Sequence, residues 1–173
     1  MRITQKIYKG NHYPRRLIPD FFKYFGFTRK NKIYTFKRKY TFNDDCRYFI
    51  DGEDQMDWSK LYGTFFGLLG IHRDSIRFGW RYNPKTEKIE IARIIYEGKK
   101  HTMEYLKSIN TNEQHEYSIV YCIKDGKLNV EFHIDEDKWD VTISKPKCRM
   151  HYGSGFYFGG NQVAPQDVSI IIE

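Results

Sequence analysis

The residues of this chain best suited to bind a ligand lie in one short stretch, Ser75 to Tyr82. If this stretch forms a β-strand, Ser75, Arg77 and Arg81 project from one face, because successive side chains of a strand point to opposite sides. Two guanidinium groups and a hydroxyl on one face can bind a phosphate or a carboxylate, whose oxygens match the arginine fork. The alternative is that both arginines form cross-strand ion pairs on a solvated surface, where such pairs contribute little.

Four more residues could complete an anion site around this strand. His72 precedes the strand and could donate a hydrogen bond, while Trp58 and Tyr82 could form a stacking wall. Arg93 belongs to the next predicted strand and could project to the same side, depending on the register of the pair. The sequence therefore predicts this ligand-binding set: His72, Ser75, Arg77, Arg81, Trp58, Tyr82 and Arg93.

No sequence motif assigns a reaction to the chain. The six histidines lack the spacing of a metal site, and a glycine-rich nucleotide loop, a P-loop and a GxSxG elbow are all missing. A Cys–His nucleophile stays open, because such partners meet only in space. The sequence favours a binding protein without catalytic residues, metal or cofactor.

The predicted ligand-binding strand is one of many segments that alternate with a period of two. The clearest others are residues 32–42, 88–97, 117–124, 128–134, 139–144 and 168–172. Asp125-Gly126 is a strong hairpin signal between two of them. Helical turns are expected only at residues 19–25 and 105–109. Nine or ten short strands in 173 residues predict one all-β domain over residues 1–173, an antiparallel sandwich or barrel.

The net charge of +7 is concentrated at the start of the chain. Residues 1–50 contain 13 Lys and Arg against three acids, which indicates a surface for an anionic ligand or an acidic partner, or merely a solubilising face. A polymeric nucleic acid is a less favoured partner. No recognition helix is visible, and the basic residues 37–39 point to both faces of their strand.

The compartment is predicted from cysteines and hydropathy. The three cysteines are widely spaced and form no CxxC pair, which is typical of free thiols in a reducing environment. The first residues lack the apolar core of a signal peptide, and no apolar run is long enough to span a bilayer. We therefore expect a cytoplasmic protein without a membrane partner, in the host cell cytoplasm if a phage encodes it.

Three motifs carry a resemblance that extends from about residue 7 to the C-terminus. They are Lys-Gly-Asn-His-Tyr at 9–13, Asp-Trp-Ser-Lys-Leu-Tyr-Gly at 57–63 followed by Gly-Trp-Arg-Tyr at 79–82, and Tyr-Phe-Gly-Gly-Asn-Gln-Val-Ala-Pro-Gln-Asp at 157–167. Together they resemble a family of uncharacterised bacterial and phage domains with a concanavalin-like jelly-roll sandwich. The resemblance implies a lectin-like jelly-roll fold and carries no activity, because it provides no catalytic residues to transfer. Residues 131–137 also lack the Glu-x-Asp-x-x-Glu spacing of related jelly-roll enzymes that cut β-glucans.

Three functions remain open at this point. The first is a non-catalytic binding protein for a small anionic ligand, most naturally a phosphate-bearing nucleotide that it could sequester. The second is a carbohydrate-binding jelly-roll module, which the tyrosine and tryptophan content permits. The third is a phage structural or assembly protein, for which a homo-oligomer is expected. The fold does not decide among them, because function resides in the site.

Overall fold

The computed structural model describes residues 2–15, 24–67, 74–98 and 100–173. Within these ranges lie twelve strands and two short 3₁₀ helices, Asp44–Cys46 and Glu53–Met56. The strands are β1 (Ile3–Ile7), β2 (Gly26–Phe27), β3 (Ile33–Phe42), β4 (Ser59–Phe66), β5 (Asp74–Asn83), β6 (Lys88–Glu97), β7 (Lys100–Ile109), β8 (Gln114–Lys124), β9 (Lys127–Ile134), β10 (Asp137–Ser144), β11 (Met150–Ser154) and β12 (Val168–Ile172). None of the helices in the described ranges has the length and apolar character needed to cross a bilayer.

The strands form two antiparallel sheets of six strands each. Sheet A has the order β1-β12-β3-β8-β9-β10, and sheet B has the order β2-β11-β4-β5-β6-β7. Among the described residues, five of the ten strand pairings join strands that are not consecutive in the chain, as β12 pairs with β1 and β3. The predicted all-β antiparallel sandwich is confirmed.

Aromatic side chains fill the space between the two sheets. Phe78 of sheet B meets Phe132 of sheet A edge to face, with ring centroids 5.1 Å apart. Trp80 is fully buried and packs against Phe42 of sheet A at 5.3 Å. Large rings in edge-to-face and tilted contacts contribute both buried area and favourable geometry, which accounts for the high tyrosine and phenylalanine content.

The alternating segments of the sequence are strands in the structure. Asp125 and Gly126 have φ of 50° and 75°, the positive values that a two-residue hairpin turn requires. The helical turns expected at residues 105–109 are a wrong prediction, since these residues belong to β7 and pair with β6. Those expected at 19–25 lie mostly outside the described residues. β4 was missed, because all eight of its residues are buried and a strand covered on both faces shows no alternation.

Candidate anion-binding site

The outer face of sheet B is organised in rows, because directly opposite residues of an antiparallel pair project to the same side. Three rows cross the centre of the sheet, and we call their outward side chains the Arg77 face. In the order β11, β4, β5, β6, the rows are Tyr152, Phe65, Ser75, Tyr96; then Ser154, Gly63, Arg77, Ile94; and then Tyr157, Lys60, Gly79, Ala92, with Tyr157 just beyond β11.

Arg77 lies at the centre of this face and is only 4% exposed. Its guanidinium carbon is 5.0 Å from the ring centroid of Phe65 and 4.9 Å from that of Tyr96, so two aromatic rings flank the charge. Gly63 makes this placement possible. A Cβ at position 63 would lie 2.7 Å from Cγ of Arg77 and 2.3 Å from the carbonyl oxygen of Ile76.

Two nitrogens of the Arg77 guanidinium are buried without a partner in the described part of the chain, although the group has a hydrogen bond with Tyr96. Within the described residues, Nε and Nη2 have no hydrogen-bond partner, and no carboxylate forms an ion pair with this arginine. Burial lowers the pKa of Arg77 to about 10, partly offset by its contact with Tyr96. The N–H groups of Nε and Nη2 point along one edge of the guanidinium. This is the arrangement that can donate to both oxygens of a carboxylate or phosphate.

Two buried serine hydroxyls on the same face are also without a partner. Ser75 is 1% exposed and lies one row from Arg77, and Ser154 lies in the row of Arg77. Among the described residues, neither hydroxyl has a hydrogen-bond partner. Buried polar groups are nearly always hydrogen-bonded in folded proteins, so Arg77, Ser75 and Ser154 are the groups of this face that a ligand could satisfy.

Lys60 provides a second positive charge on the Arg77 face. It is 8% exposed, and burial, together with the charge of Arg77, lowers its pKa to about 8. Its Nζ donates to the carbonyl oxygen of Trp58 at 2.9 Å and lies 5.7 Å from the ring centroid of Tyr157. Tyr157 in turn stacks on His12 at 5.4 Å. The third row of the Arg77 face therefore places the amine of Lys60 beside the ring of Tyr157.

Arg81 shares the outer face of β5 with Arg77 but is fully engaged within the protein. Its Nε donates to Glu90 at 2.7 Å, and its Nη1 donates to the carbonyl oxygen of Met56 at 2.6 Å. Its guanidinium stacks on Trp58 at 4.0 Å. The ion-pair alternative is thus correct for Arg81, and Trp58 is occupied by this contact.

Two of the other predicted residues, Tyr82 and Arg93, lie on the core side of sheet B. Tyr82 is 4% exposed on the core side of β5, so it cannot form an outward stacking wall. The register places Arg93 opposite Phe78, on the core side, where it donates to Glu104 and to the carbonyl oxygen of Asp140. His72 lies outside the described residues. Of the seven predicted residues, Ser75 and Arg77 are the two that lie on the Arg77 face without an ion pair among the described residues.

Sequence reasoning missed the residues that surround Arg77. Tyr157 belongs to the closing motif of residues 157–167 and Tyr96 to the alternating segment 88–97, so both were visible but unassigned. Lys60 and Phe65 lie in β4, whose pairing with β5 shifts register between Lys60 and Tyr62. Such an irregularity moves side chains between faces and cannot be read from composition. Among the described residues, no cluster of three or more His, Cys, Asp or Glu could hold a metal.

Comparison with known proteins gives likenesses of fold only. No protein-family model and no curated protein matches the chain. Alginate lyase A1-II′, a member of polysaccharide lyase family 7, is similar with a TM-score of 0.60 and 11% identity, over 99% of this chain and 76% of that chain. A variant of the same family 7 lyase in complex with a product (GGG) has a TM-score of 0.56 and 8% identity, over 85% of this chain. The match spans 62% of the length of that lyase chain.

A functionally unknown protein from Saccharomyces cerevisiae is also similar, with a TM-score of 0.54 and 9% identity, over 99% of this chain and 83% of that chain. These neighbours confirm the jelly-roll type of the sandwich. At such identities the likeness extends to the fold and not to residue roles.

Proposed function

We propose that this protein binds an acidic carbohydrate on the Arg77 face, with a sugar carboxylate accepting hydrogen bonds from Arg77. The observation that carries the proposal is the unpartnered Nε and Nη2 edge of a buried guanidinium. A buried charge without a counter-ion is costly to the fold, and such costs are typical of binding sites. A carboxylate that accepts from both nitrogens would remove the cost.

The surroundings of Arg77 favour a sugar over a free phosphate. The residues around Arg77 are largely aromatic, with Tyr96, Tyr152 and Tyr157 in the rows of the Arg77 face, and aromatic rings suit ligands that are apolar on one side and polar at the edge. Two of the fold neighbours are lyases of alginate, a polymer of carboxylated sugars. The nucleotide expected from the sequence has less support, because Trp58 and Tyr82 are engaged elsewhere.

The test is calorimetric titration with alginate oligosaccharides, neutral glucan oligosaccharides of equal length, inorganic phosphate and nucleotides. Arg77→Met should weaken uronate binding about 10- to 150-fold, the range expected when hydrogen bonds between charged groups are lost. Arg2→Met is the matched control, because Arg2 is exposed and precedes β1 in the other sheet. Binding should also weaken as ionic strength rises.

Each alternative predicts a different result of the same titrations. Equal binding of neutral and acidic oligosaccharides, unaffected by Arg77→Met, would leave a carbohydrate module but overturn the role of the carboxylate. Arg77-dependent binding of phosphate or nucleotides without uronate binding would identify the anion as a phosphate. No binding of any probe would overturn the proposal and favour a structural or assembly protein.

A second candidate function is elimination chemistry on the same sugar, favoured by the pairing of Lys60 with Tyr157. An amine with a pKa of about 8 is partly neutral near that pH and can accept a proton from carbon, as a general base requires. The Tyr157 hydroxyl could protonate the leaving oxygen, so that C–H and C–O bonds break as a C=C bond forms. Release of an unsaturated uronate that disappears in Lys60→Met, while Arg77-dependent binding persists, would establish this activity.

A further inference from the structure

A cavity of about 610 Å³ adjoins the Arg77 face where β5 begins. Its walls come from the end of β4, the start of β5, the end of β6 and the connection between β10 and β11. Ser75 and Tyr96 line the cavity and also belong to the first row of the Arg77 face, with Phe65 and Tyr152. The other lining residues are Phe66, Gly67, Asp74, Glu97, Gly98 and residues 143–148.

We propose that this cavity is a second sugar subsite, so that the ligand is an oligosaccharide with acidic groups on neighbouring sugars. The inference rests on the proposed function, because it deepens the ligand class of the Arg77 face. One sugar carboxylate accepts from Arg77, and the adjoining sugar occupies the cavity with its own carboxylate near Lys145 and Lys147.

Continuity between the two sites is the first support. The Arg77 guanidinium lies 4.9 Å from the ring centroid of Tyr96, and Tyr96 is also a wall of the cavity. Ser75, with its unpartnered hydroxyl, lies between them on the same strand as Arg77. The Arg77 face and the cavity therefore share Ser75 and Tyr96, which places the two sites side by side.

The charges that line the cavity are the second support. Both acids are engaged by backbone amides: Asp74 accepts from Gly98 N at 3.0 Å, and Glu97 accepts from Ser144 N at 2.8 Å. Lys145 and Lys147 are exposed and, within the described residues, form no ion pair. Lys145 and Lys147 balance the charges of the two acids and are the ammonium donors of the lining that a carboxylate could accept from.

The cavity also has the character of a sugar pocket. Phe66, Ile143 and Pro146 contribute buried apolar surface to its lining. Binding sites of this kind combine a mostly apolar wall with a few polar groups that fix orientation. The exposed thiol of Cys148 is also part of the lining, so it reports whether a ligand reaches the cavity.

The experiment compares a uronate monosaccharide with alginate oligosaccharides of two to four sugars on the full chain. Lys145→Ala combined with Lys147→Ala should lower affinity for the oligosaccharides about 4- to 25-fold, at two- to fivefold for each exposed charge, and leave monosaccharide affinity unchanged. The matched control combines Lys85→Ala with Lys88→Ala, two exposed lysines at the other end of β5, one in the β5–β6 connection and one at the start of β6.

Alkylation of Cys148 provides an independent measurement. The oligosaccharide should slow modification of Cys148 by iodoacetamide at least fivefold, as followed by peptide mass spectrometry, while the monosaccharide should not. If oligosaccharides bind through Arg77 but the lysine pair has no effect and Cys148 is not protected, the second subsite is overturned and the proposed function stands. An equal loss in the control pair would also overturn it, and absence of all uronate binding would overturn both.

Discussion

Replacing Arg77 with methionine should stabilise the unliganded protein while it removes anion binding. Arg77 is buried, carries a charge, and has two unpartnered donors. Methionine has a similar length and is neutral, so it should keep most of the packing between Phe65 and Tyr96 without burying a charge. A gain in stability coupled to a loss of binding is typical of a residue retained for function.

The structure sets the size of the expected gain. The fall in the pKa of Arg77 from 12.5 to about 10 corresponds to a cost of about 3 kcal/mol for the charged form, at 1.36 kcal/mol per pKa unit. Loss of the two ring contacts opposes this by about 0.5–1 kcal/mol each. The net gain is about 1–2 kcal/mol, which for a chain of this length raises Tm by roughly 2–8 °C.

Arg81→Met is the matched control, because Arg81 lies four residues away on the same face of β5 but is paired with Glu90. Its removal leaves Glu90, whose side chain is only 10% exposed, without its guanidinium. This should cost about 2–3 kcal/mol, since hydrogen bonds between charged groups are lost. Denaturant unfolding of the wild type and both variants gives the comparison directly. If Arg77→Met lost 2 kcal/mol or more, Arg77 would be a structural residue and the argument for the site would fail.

Three further predictions concern other parts of the fold. Gly63→Ala should cost several kcal/mol and weaken ligand binding, because its Cβ would meet backbone atoms of β5 at 2.3 Å, whereas Gly79→Ala would meet mainly a side-chain methyl at 2.5 Å and should cost less; equal losses in denaturant unfolding would contradict this. Lys60 has a pKa of about 8 in the fold against 10.5, so the unfolded state binds more protons in that interval. The stability of wild type relative to Lys60→Met should then rise by up to about 3 kcal/mol from pH 8 to 10.5, and a flat difference would refute the shift. Cys148 is exposed and Cys46 is buried with a raised pKa, so thiol reagents should modify Cys148 in the native protein and Cys46 only on unfolding, as peptide mapping would show.

The site could be predicted from the sequence only where one strand determines it. Alternation along residues 75–82 places Ser75 and Arg77 on one face whatever their neighbours are, because the period of a strand is a local property of the backbone. Which of the two arginines forms an ion pair within the protein could not be predicted from this strand alone. Arg81 is paired because Glu90 lies directly opposite it, and Arg77 is not, because Ile94 occupies the equivalent position.

The sequence by itself determined the all-β, antiparallel character of this protein, through period-two alternation, turn residues and aromatic content. Tertiary structure alone decided that Arg93 faces the core and that Lys60 lies on the same face of sheet B as Arg77. The first depends on the register between β5 and β6, and the second on the irregular pairing of β4 with β5. Register is set by the packing of whole faces, and a shift of one residue reverses every side chain, so no single segment contains that information.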